Sequence, residues 1–312
     1  MAAREHNPVR SGLLLGAGAY LIWGLLPLYF LLLAPAGPFE IVAWRIIWSL
    51  GFCAIALTLT SGWRRLGELA RRPRILFTLA GAGVLIFINW QTYVYATTSG
   101  QVVEAALGYF INPIVLVFLG VLVLRERLRP LQWAAVGVSI VAVVVLTVAY
   151  GAFPWIALTL AFSFGLYGFV KKRVGGEVDA LSGLTIESAW LVPVAVAELV
   201  FVGSTSGVVF GTAGAGNTVL LVLAGVVTAV PLLLFASSAR RLPLVYIGLL
   251  QYLTPIIQFV IGVAFEHERM EPARWVGFIV IWAALGLLTI DLLRASRTAR
   301  AARASQGVVT RP

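Results

Sequence analysis

The chain has 312 residues, of which 60% are apolar and 12% carry a charge, and its formal net charge is +10. Soluble globular domains carry about 25% charged residues, so this chain has too few charges to cover a water-exposed surface of its size. The basic residues lie in short runs between long apolar segments, which excludes a nucleic-acid-binding face and indicates the loops of a membrane protein.

Ten segments are long and apolar enough to be transmembrane helices. A helix needs about 20 apolar residues to cross the hydrocarbon core, and these segments lack the alternation of a lipid-facing strand. The first exceeds the length of a signal-peptide core, so we expect it to be retained. The sequence therefore predicts an all-α polytopic membrane protein with the spans Leu13–Leu33, Ile41–Thr60, Ile75–Ala96, Val102–Leu124, Leu131–Tyr150, Trp155–Val170, Gly183–Val202, Val219–Ser237, Leu244–Phe265 and Trp275–Leu293.

The loops between these spans alternate in charge. If the N-terminus is inside, 20 of the 23 Lys and Arg residues lie on the inner side, and the exceptions are Arg45, Arg269 and Arg274. Basic loops remain in the cytoplasm, so both termini are predicted to be cytoplasmic in a bacterial plasma membrane. The basic tail after Asp291 is expected to be solvated, with a helix on the anionic inner leaflet as the alternative.

An internal repeat appears when the sequence is shifted by 142 residues. Leu107–Gly137 then aligns with Leu249–Ile279, with nine identities in 31 positions, and a Pro-x12-Glu-Arg-x2-Pro-x2-Trp frame recurs from Pro113 and Pro255. Each copy holds five spans, an odd number, so the second copy is predicted to be inverted. Residues 1–150 form the first repeat, 151–293 the second, and 294–312 a cytoplasmic tail. Inverted repeats are the architecture of many secondary transporters.

Several strings of the sequence resemble the RarD family, in the EamA group of the drug/metabolite transporter superfamily. They are Trp23–Phe30, Arg45–Ser49, Asn89–Tyr93, Leu107–Pro113, Pro231–Ala236 and Gly248–Pro255. The resemblance covers about Gly12 to Leu293. It implies ten helices in two EamA repeats, an inner-membrane location and a permease that carries a small solute, with no catalytic residues to transfer.

Polar and aromatic residues within the spans are candidates for a substrate cavity. Asn112 and Gln251 are expected to form its hydrogen-bonding wall and Tyr109 and Tyr252 its stacking surface. The alternative is that such residues only tie helices together. Pro113 and Pro255 each remove a backbone hydrogen bond and are the hinge candidates. The full set of cavity candidates is Arg45, Asn89, Gln91, Tyr93, Tyr109, Asn112, Gln251, Tyr252 and Gln258.

Ionisable residues inside a span are costly and therefore functional candidates. Arg45 and Glu187 lie at equivalent positions of the two repeats. Glu104 begins the fourth span, where the helix dipole favours a carboxylate. We expect Glu104 and Glu187 to serve in proton coupling or gating, with capping or structural ion pairing as the alternative. At the helix ends, Glu126 and Glu268 are expected to pin loops, with gating as the alternative.

Motifs of enzymes and cofactor sites are missing from the sequence. There is no Walker A motif, no HExxH and no Gly-x-Ser-x-Gly, and Cys53 is the only cysteine. We expect no metal and no cofactor. The predicted function is a secondary transporter working by alternating access, with a small solute, the lipid bilayer and a coupling proton as partners. A membrane-embedded enzyme acting on a lipid or isoprenoid, and a scaffold or receptor without transport, are the alternatives.

Overall fold

A computed structural model of the chain describes residues 8–124, 130–150, 153–239, 241–242 and 244–309. Over these residues the secondary structure is helical, with a single π-helical turn, Ile261–Phe265, after α11. The helices are α1 (Pro8–Leu31), α2 (Pro38–Leu59), α3 (Trp63–Ala70), α4 (Pro73–Thr98), α5 (Val102–Leu124), α6 (Pro130–Tyr150), α7 (Trp155–Val174), α8 (Ala180–Thr205), α9 (Ala215–Ala239), α10 (Leu244–Leu250), α11 (Leu253–Val260) and α12 (Pro272–Val309).

The predicted all-α polytopic fold is confirmed. Within the described residues, eight helical segments are long and apolar enough to cross a membrane, and the shorter apolar helices Pro130–Val144 and Trp155–Lys171 fall on the predicted fifth and sixth spans. Helix α3 was not predicted, because its eight residues include three charges. The basic loop at 125–129, which contains Glu126, lies outside the described residues.

The ninth predicted span, Leu244–Phe265, is interrupted, although its apolar sequence predicts one continuous helix. Helix α10 ends at Leu250, Gln251 and Tyr252 form a turn, and α11 begins at Leu253. Pro255 explains the break: it has no N–H to donate to the Gln251 carbonyl, and its ring clashes with that carbonyl in a continuous helix. In the observed arrangement Pro255 lies in the first turn of α11, where proline is tolerated. Pro113, by contrast, lies inside the continuous helix α5.

The last predicted span, Trp275–Leu293, lies within α12, which continues to Val309. The backbone of the tail after Leu293 is thus helical. Its Ala and Arg residues have high helix propensity, which explains why the helix does not end with the apolar segment.

Helices from the two halves of the chain pack mainly on one another. The most extensive pairs are α2 with α8, α6 with α12, α5 with α7, α2 with α9, α4 with α7 and α1 with α9. Helix α1 also packs on α11, and α4 on α8. The helices α1, α2, α4, α5 and α6 are the first five spans, and α7, α8, α9, α10–α11 and α12 are the last five. Exchanging each span for its equivalent turns one observed pair into another: the pair α4–α7 becomes α9–α1, and the pair α2–α9 becomes α8–α4.

Contacts at the helix ends agree with the predicted alternation of directions. At the start of α9, Asn217 Nδ2 donates to the Leu33 carbonyl after α1, at 2.9 Å. At the other end of α9, Ser238 Oγ donates to the Gly12 carbonyl near the start of α1, at 2.8 Å. The two helices are therefore antiparallel. We call the end of the bundle near Leu33 the outer end and the end near Gly12 the inner end, after the sides that the charge pattern predicts.

Two clusters of buried apolar side chains form the core. The larger cluster draws on α1, α2, α4, α5, α7, α8 and α9, and the second on α5, α6, α7, α11 and α12. The backbones of α2 and α9 approach closely at Gly225, where a Cβ atom would lie 2.2 Å from the Trp48 carbonyl carbon. The larger core encloses the candidate site.

Candidate substrate site

Arg45 lies on α2 in the centre of the larger core, and its side chain is held by three other helices. Its Nε donates to Thr228 Oγ1 on α9 at 2.7 Å. Its Cζ lies 4.4 Å from the ring centroid of Trp90 on α4 and 5.5 Å from that of Phe30 on α1. Only 4% of the residue is exposed. The guanidinium is therefore packed between aromatic faces inside the bundle.

The charge of Arg45 has no carboxylate partner among the described residues. Its Nη1 atom is buried and makes no hydrogen bond within that part of the chain. A buried cation without a counter-charge is unfavourable by several kcal/mol, and stacking on Trp90 offsets only about 2 kcal/mol of this. The geometry therefore leaves a fixed positive group with a free donor, which suits an anionic ligand.

Tyr93, Tyr109 and Asn89 form a wall beside this cation. The Tyr93 and Tyr109 rings meet edge to face with centroids 5.6 Å apart. The Tyr109 hydroxyl donates to Asn89 Oδ1 at 3.1 Å, and Asn89 Nδ2 donates to the Leu160 carbonyl on α7 at 3.2 Å. Tyr93 also contacts Phe30, with centroids 5.9 Å apart. Four of the predicted cavity residues thus lie in or beside one aromatic cluster.

Gln258 on α11 joins the same cluster from the second half of the chain. Its Nε2 donates to the Tyr93 hydroxyl at 2.8 Å and to the Trp23 carbonyl at 3.2 Å. Its Oε1 is buried and accepts no hydrogen bond from the described residues. The Gln258 side chain therefore adds a buried acceptor without a partner among the described residues to this cluster.

The other cavity candidates lie elsewhere. Asn112 Nδ2 donates to the Ala161 carbonyl at 3.2 Å and joins α5 to α7. Gln91 lies on α4, with a buried Oε1 that has no partner among the described residues. Gln251 and Tyr252 line a separate cavity of about 210 Å3 between α5, α6, α10 and α12, together with the hinge candidate Pro113. The structure therefore does not bring Gln251 and Asn112 onto one wall.

Glu187 on α8 is in a buried ion pair nearer the inner end. Lys171 Nζ lies 2.6 Å from Glu187 Oε1, and the Tyr167 hydroxyl donates to Oε2 at 3.2 Å. The Glu187 side chain is 1% exposed. This group therefore links α7 to α8.

Glu104 lies at the outer end, in the first turn of α5. It accepts hydrogen bonds from the backbone N–H groups of Ile156 and Ala157 at the start of α7. Its Oε1 is buried without a partner among the described residues.

Sequence reasoning missed Trp90, Thr228 and Phe30 as the residues that hold Arg45, and Lys171 as the partner of Glu187. Trp90 belongs to the Asn89–Tyr93 string, and Lys171 is one of only two lysines, so both carried a signal. Phe30 likewise belongs to the Trp23–Phe30 string, whereas Thr228 carried no signal that distinguishes it from ordinary span residues. Among the described residues, no group of three or more His, Cys, Asp or Glu side chains is placed to hold a metal ion.

Comparisons with known proteins agree with a transporter. The profile of the EamA-like transporter family matches residues 10–148. Protein RarD of Streptomyces exfoliatus is 47% identical over 298 residues, covering 96% of this chain and 94% of that protein. Protein RarD of Escherichia coli K12 is 40% identical, covering 94% and 98%. An uncharacterized transporter of Bacillus subtilis is 41% identical, covering 95% and 99%.

A solved structure shares the fold. This crystal structure aligns with a TM-score of 0.60 at 18% identity, covering 90% of this chain and 98% of the other. At this level of identity the likeness concerns the arrangement of the helices alone.

Proposed function

The chain belongs to the RarD family of EamA-like transporters in the drug/metabolite transporter superfamily, and we propose that it moves a small organic solute with an anionic group by alternating access. As a member of that family it is a multi-pass bacterial membrane permease and not an enzyme. The alternative of a lipid-modifying enzyme is therefore dropped.

One observation carries the choice of solute: among the described residues, buried Arg45 has no carboxylate partner and its Nη1 makes no hydrogen bond. An anionic group of the solute would supply the missing counter-charge and hydrogen bond, and its release would restore the unpaired state. The aromatic rings of Trp90, Tyr93 and Tyr109 would contact an apolar part of the same molecule. Amino acids and small organic acids have this combination of groups.

The repeat and the packing pattern support alternating access. We propose that residues 1–150 and 151–293 are inverted units, with a cytoplasmic tail at 294–312. The exchange-symmetric pairing of helices described above is what two such units would produce. Impermeant thiol labelling of cysteines introduced at Arg127 and Glu271 should place the two sites on opposite faces. Labelling from the same face would contradict the inversion.

The gating and coupling candidates separate by position. We propose that Glu187 acts at the inner end through its bond to Lys171, and Glu104 at the outer end through its bonds to α7. Pro113 and the break before Pro255 are the proposed hinges. Flux measured in proteoliposomes with and without a pH gradient tests proton coupling directly.

The experiment that tests the central site compares Arg45→Met with Arg64→Met, whose target side chain is 92% exposed. Purified protein in proteoliposomes is assayed with a panel of radiolabelled amino acids and small carboxylic acids. Truncating one partner of a buried charge pair costs about 2–5 kcal/mol, so Arg45→Met should slow uptake about 30-fold or more while Arg64→Met leaves it unchanged. If Arg45→Met took up every transported solute at the same rate as the wild type, the central site would be refuted.

A second comparison separates the central cluster from the cavity at Gln251. Gln258→Ala removes a residue of the cluster, and Gln251→Ala removes one from the other cavity. Both are assayed at equal membrane levels, with Asn112→Ala as a third variant. If only Gln251→Ala lost uptake, the substrate site would be assigned to the cavity between α5, α6, α10 and α12 instead of the central cluster.

A further inference from the structure

The loop after the π-helical turn folds back onto the start of α5 at the outer end. The Glu268 N–H donates to the Gly262 carbonyl at 2.9 Å, which closes the loop on the turn. A Cβ atom at Gly262 would lie 2.6 Å from Val103 Cγ2, so glycine permits this close approach. The loop therefore covers the N-terminus of α5.

The Glu268 carboxylate holds the loop in place. Its two oxygens lie 3.0 and 3.2 Å from the backbone nitrogen of Val103, and it also accepts from Val102. The N–H groups of a first turn have no partner within their helix, and a negative charge there is favoured by the helix dipole. The Glu268 side chain is only 5% exposed. The Glu268 carboxylate is therefore buried between the loop and the start of α5.

Glu104, the residue after Val103 in the same turn of α5, makes the same kind of contact with α7. Its bonds to the first turn of α7 leave Oε1 buried, and no donor of the described residues reaches that atom. An ionised carboxylate with an unsatisfied buried oxygen is unfavourable, and a proton on it removes the charge. Both the loop and α7 are thus fastened to α5 by buried carboxylates.

The charges that face Glu268 leave the group with an excess of negative charge. Glu104 faces it from α5, Glu266 from its own loop and Arg274 from α12, with Arg274 Nη1 3.9 Å from Glu268 Oε2. Burial raises the pKa of Glu268 to about 7; the backbone N–H groups oppose this shift, while Glu266 and Glu104 add to it. The closed loop therefore binds a proton more tightly than a carboxylate in water does.

We propose that Glu104 and Glu268 form a proton-binding site that holds one proton while the loop covers α5 and releases it when the loop leaves. A state that binds a proton more tightly is favoured as the pH falls. Protonation therefore closes the outer end, and deprotonation favours its opening. The inference rests on the proposed function only in treating this end as a gate, because loop closure can be measured without any solute.

The test uses a thiol reporter on the buried side of α5 in protein reconstituted in lipid nanodiscs. Ala106, which is fully buried, is changed to cysteine in a Cys53→Ala background, and labelling by an impermeant maleimide is followed between pH 6 and pH 8. Thiolate content also rises with pH, so rates are divided by those of Ser206→Cys, an exposed position at the same end. A closed-state pKa of about 7 predicts about a tenfold rise in the normalised rate.

Two matched variants decide whether Glu268 is responsible. Glu268→Gln is permanently neutral and should label slowly at every pH, whereas Glu271→Gln, an exposed change in the same loop, should keep the wild-type pH dependence. An unchanged pH profile in Glu268→Gln, or a flat profile in the wild type, would overturn the proposal. If Glu268→Gln does not fold, hydrogen exchange of the wild-type Val103 amide gives the same answer. After correction for intrinsic rates, its protection should fall about tenfold from pH 6 to pH 8, and constant protection would overturn the proposal.

Discussion

Lys171 on α7 and Glu187 on α8 are joined at 2.6 Å within the helix bundle, where the carboxylate is 1% exposed and the lysine side chain 26% exposed. The asymmetry matters, because the lysine side chain is partly exposed and the carboxylate is buried. Without Lys171, Glu187 would be an unpaired buried charge, and its remaining contact would be the hydroxyl of Tyr167.

This pair predicts unequal effects of removing its two members. Lys171→Met should lower the free energy of unfolding by about 3–5 kcal/mol, because it strands the carboxylate. Glu187→Gln should cost less, since the lysine left behind is partly exposed and can turn away from the core. The double variant should resemble Glu187→Gln alone. Denaturant titration of the four proteins in one detergent measures this, and additive losses in the double variant would show that the two groups are not coupled.

Close packing of α2 on α9 predicts that Gly225 does not tolerate a side chain. A Cβ atom there would lie 2.2 Å and 2.3 Å from the carbonyl carbon and oxygen of Trp48, which are backbone atoms and cannot rotate away. We expect Gly225→Ala to cost about 1–3 kcal/mol.

Gly286 provides the matched control for that change. No atom of the described residues lies within 4 Å of a Cβ atom at Gly286 on α12, so Gly286→Ala should be neutral or stabilise by up to about 1 kcal/mol through helix propensity. Thermal unfolding of both variants checks the pair. Equal stability of the two would mean that the helices separate more easily than their packing indicates.

Asp179 predicts a pH-dependent part of the stability at the inner end. Its Oδ1 accepts from the Ser182 N–H at 2.9 Å and caps α8, and its Oδ2 lies 3.1 Å from Arg65 Nε. Burial raises the pKa of Asp179, but its hydrogen bonds to Ser182 and the charge of Arg65 outweigh burial, so the pKa lies below the ordinary value. The stabilisation is therefore present at neutral pH and is lost as the pH falls through the lowered pKa.

The corresponding variants are Asp179→Ala and Asp179→Asn. Asp179→Ala should cost about 1 kcal/mol at pH 7, and its difference from the wild type should shrink below about pH 4. Asp179→Asn keeps a capping oxygen and should retain most of the stability at pH 7. The measurement is the unfolding midpoint from pH 7 to pH 3. A difference between wild type and Asp179→Ala that stays constant over this range would rule out the carboxylate as its cause.

Local properties of the sequence determined most of the helices. The helix Val102–Leu124 was predicted with the bounds that the structure has. Its length and ends follow from local hydropathy and from the flanking loop residues, and do not depend on which helices pack against it. Helix α3 was not predicted, because a short charged helix has no hydropathy signal. The break before Pro255 was readable as a proline effect, but whether a helix bends or separates there depends on the packing around it.

By itself, the sequence determined that this chain is an all-α membrane protein, how its loops alternate in charge and which residues within its spans are ionisable. Only the tertiary structure decided their partners: Arg45 lies on Trp90, with no carboxylate partner in the part of the chain that the structure describes. Glu187 pairs with Lys171, and Glu268 reaches Val103 across 165 positions of sequence. Hydropathy is a sum over residues adjacent in the sequence, so it does not depend on how the helices pack. A buried charge is matched by whatever side chain the packing brings within about 4 Å, and that choice is made by helices distant in the chain.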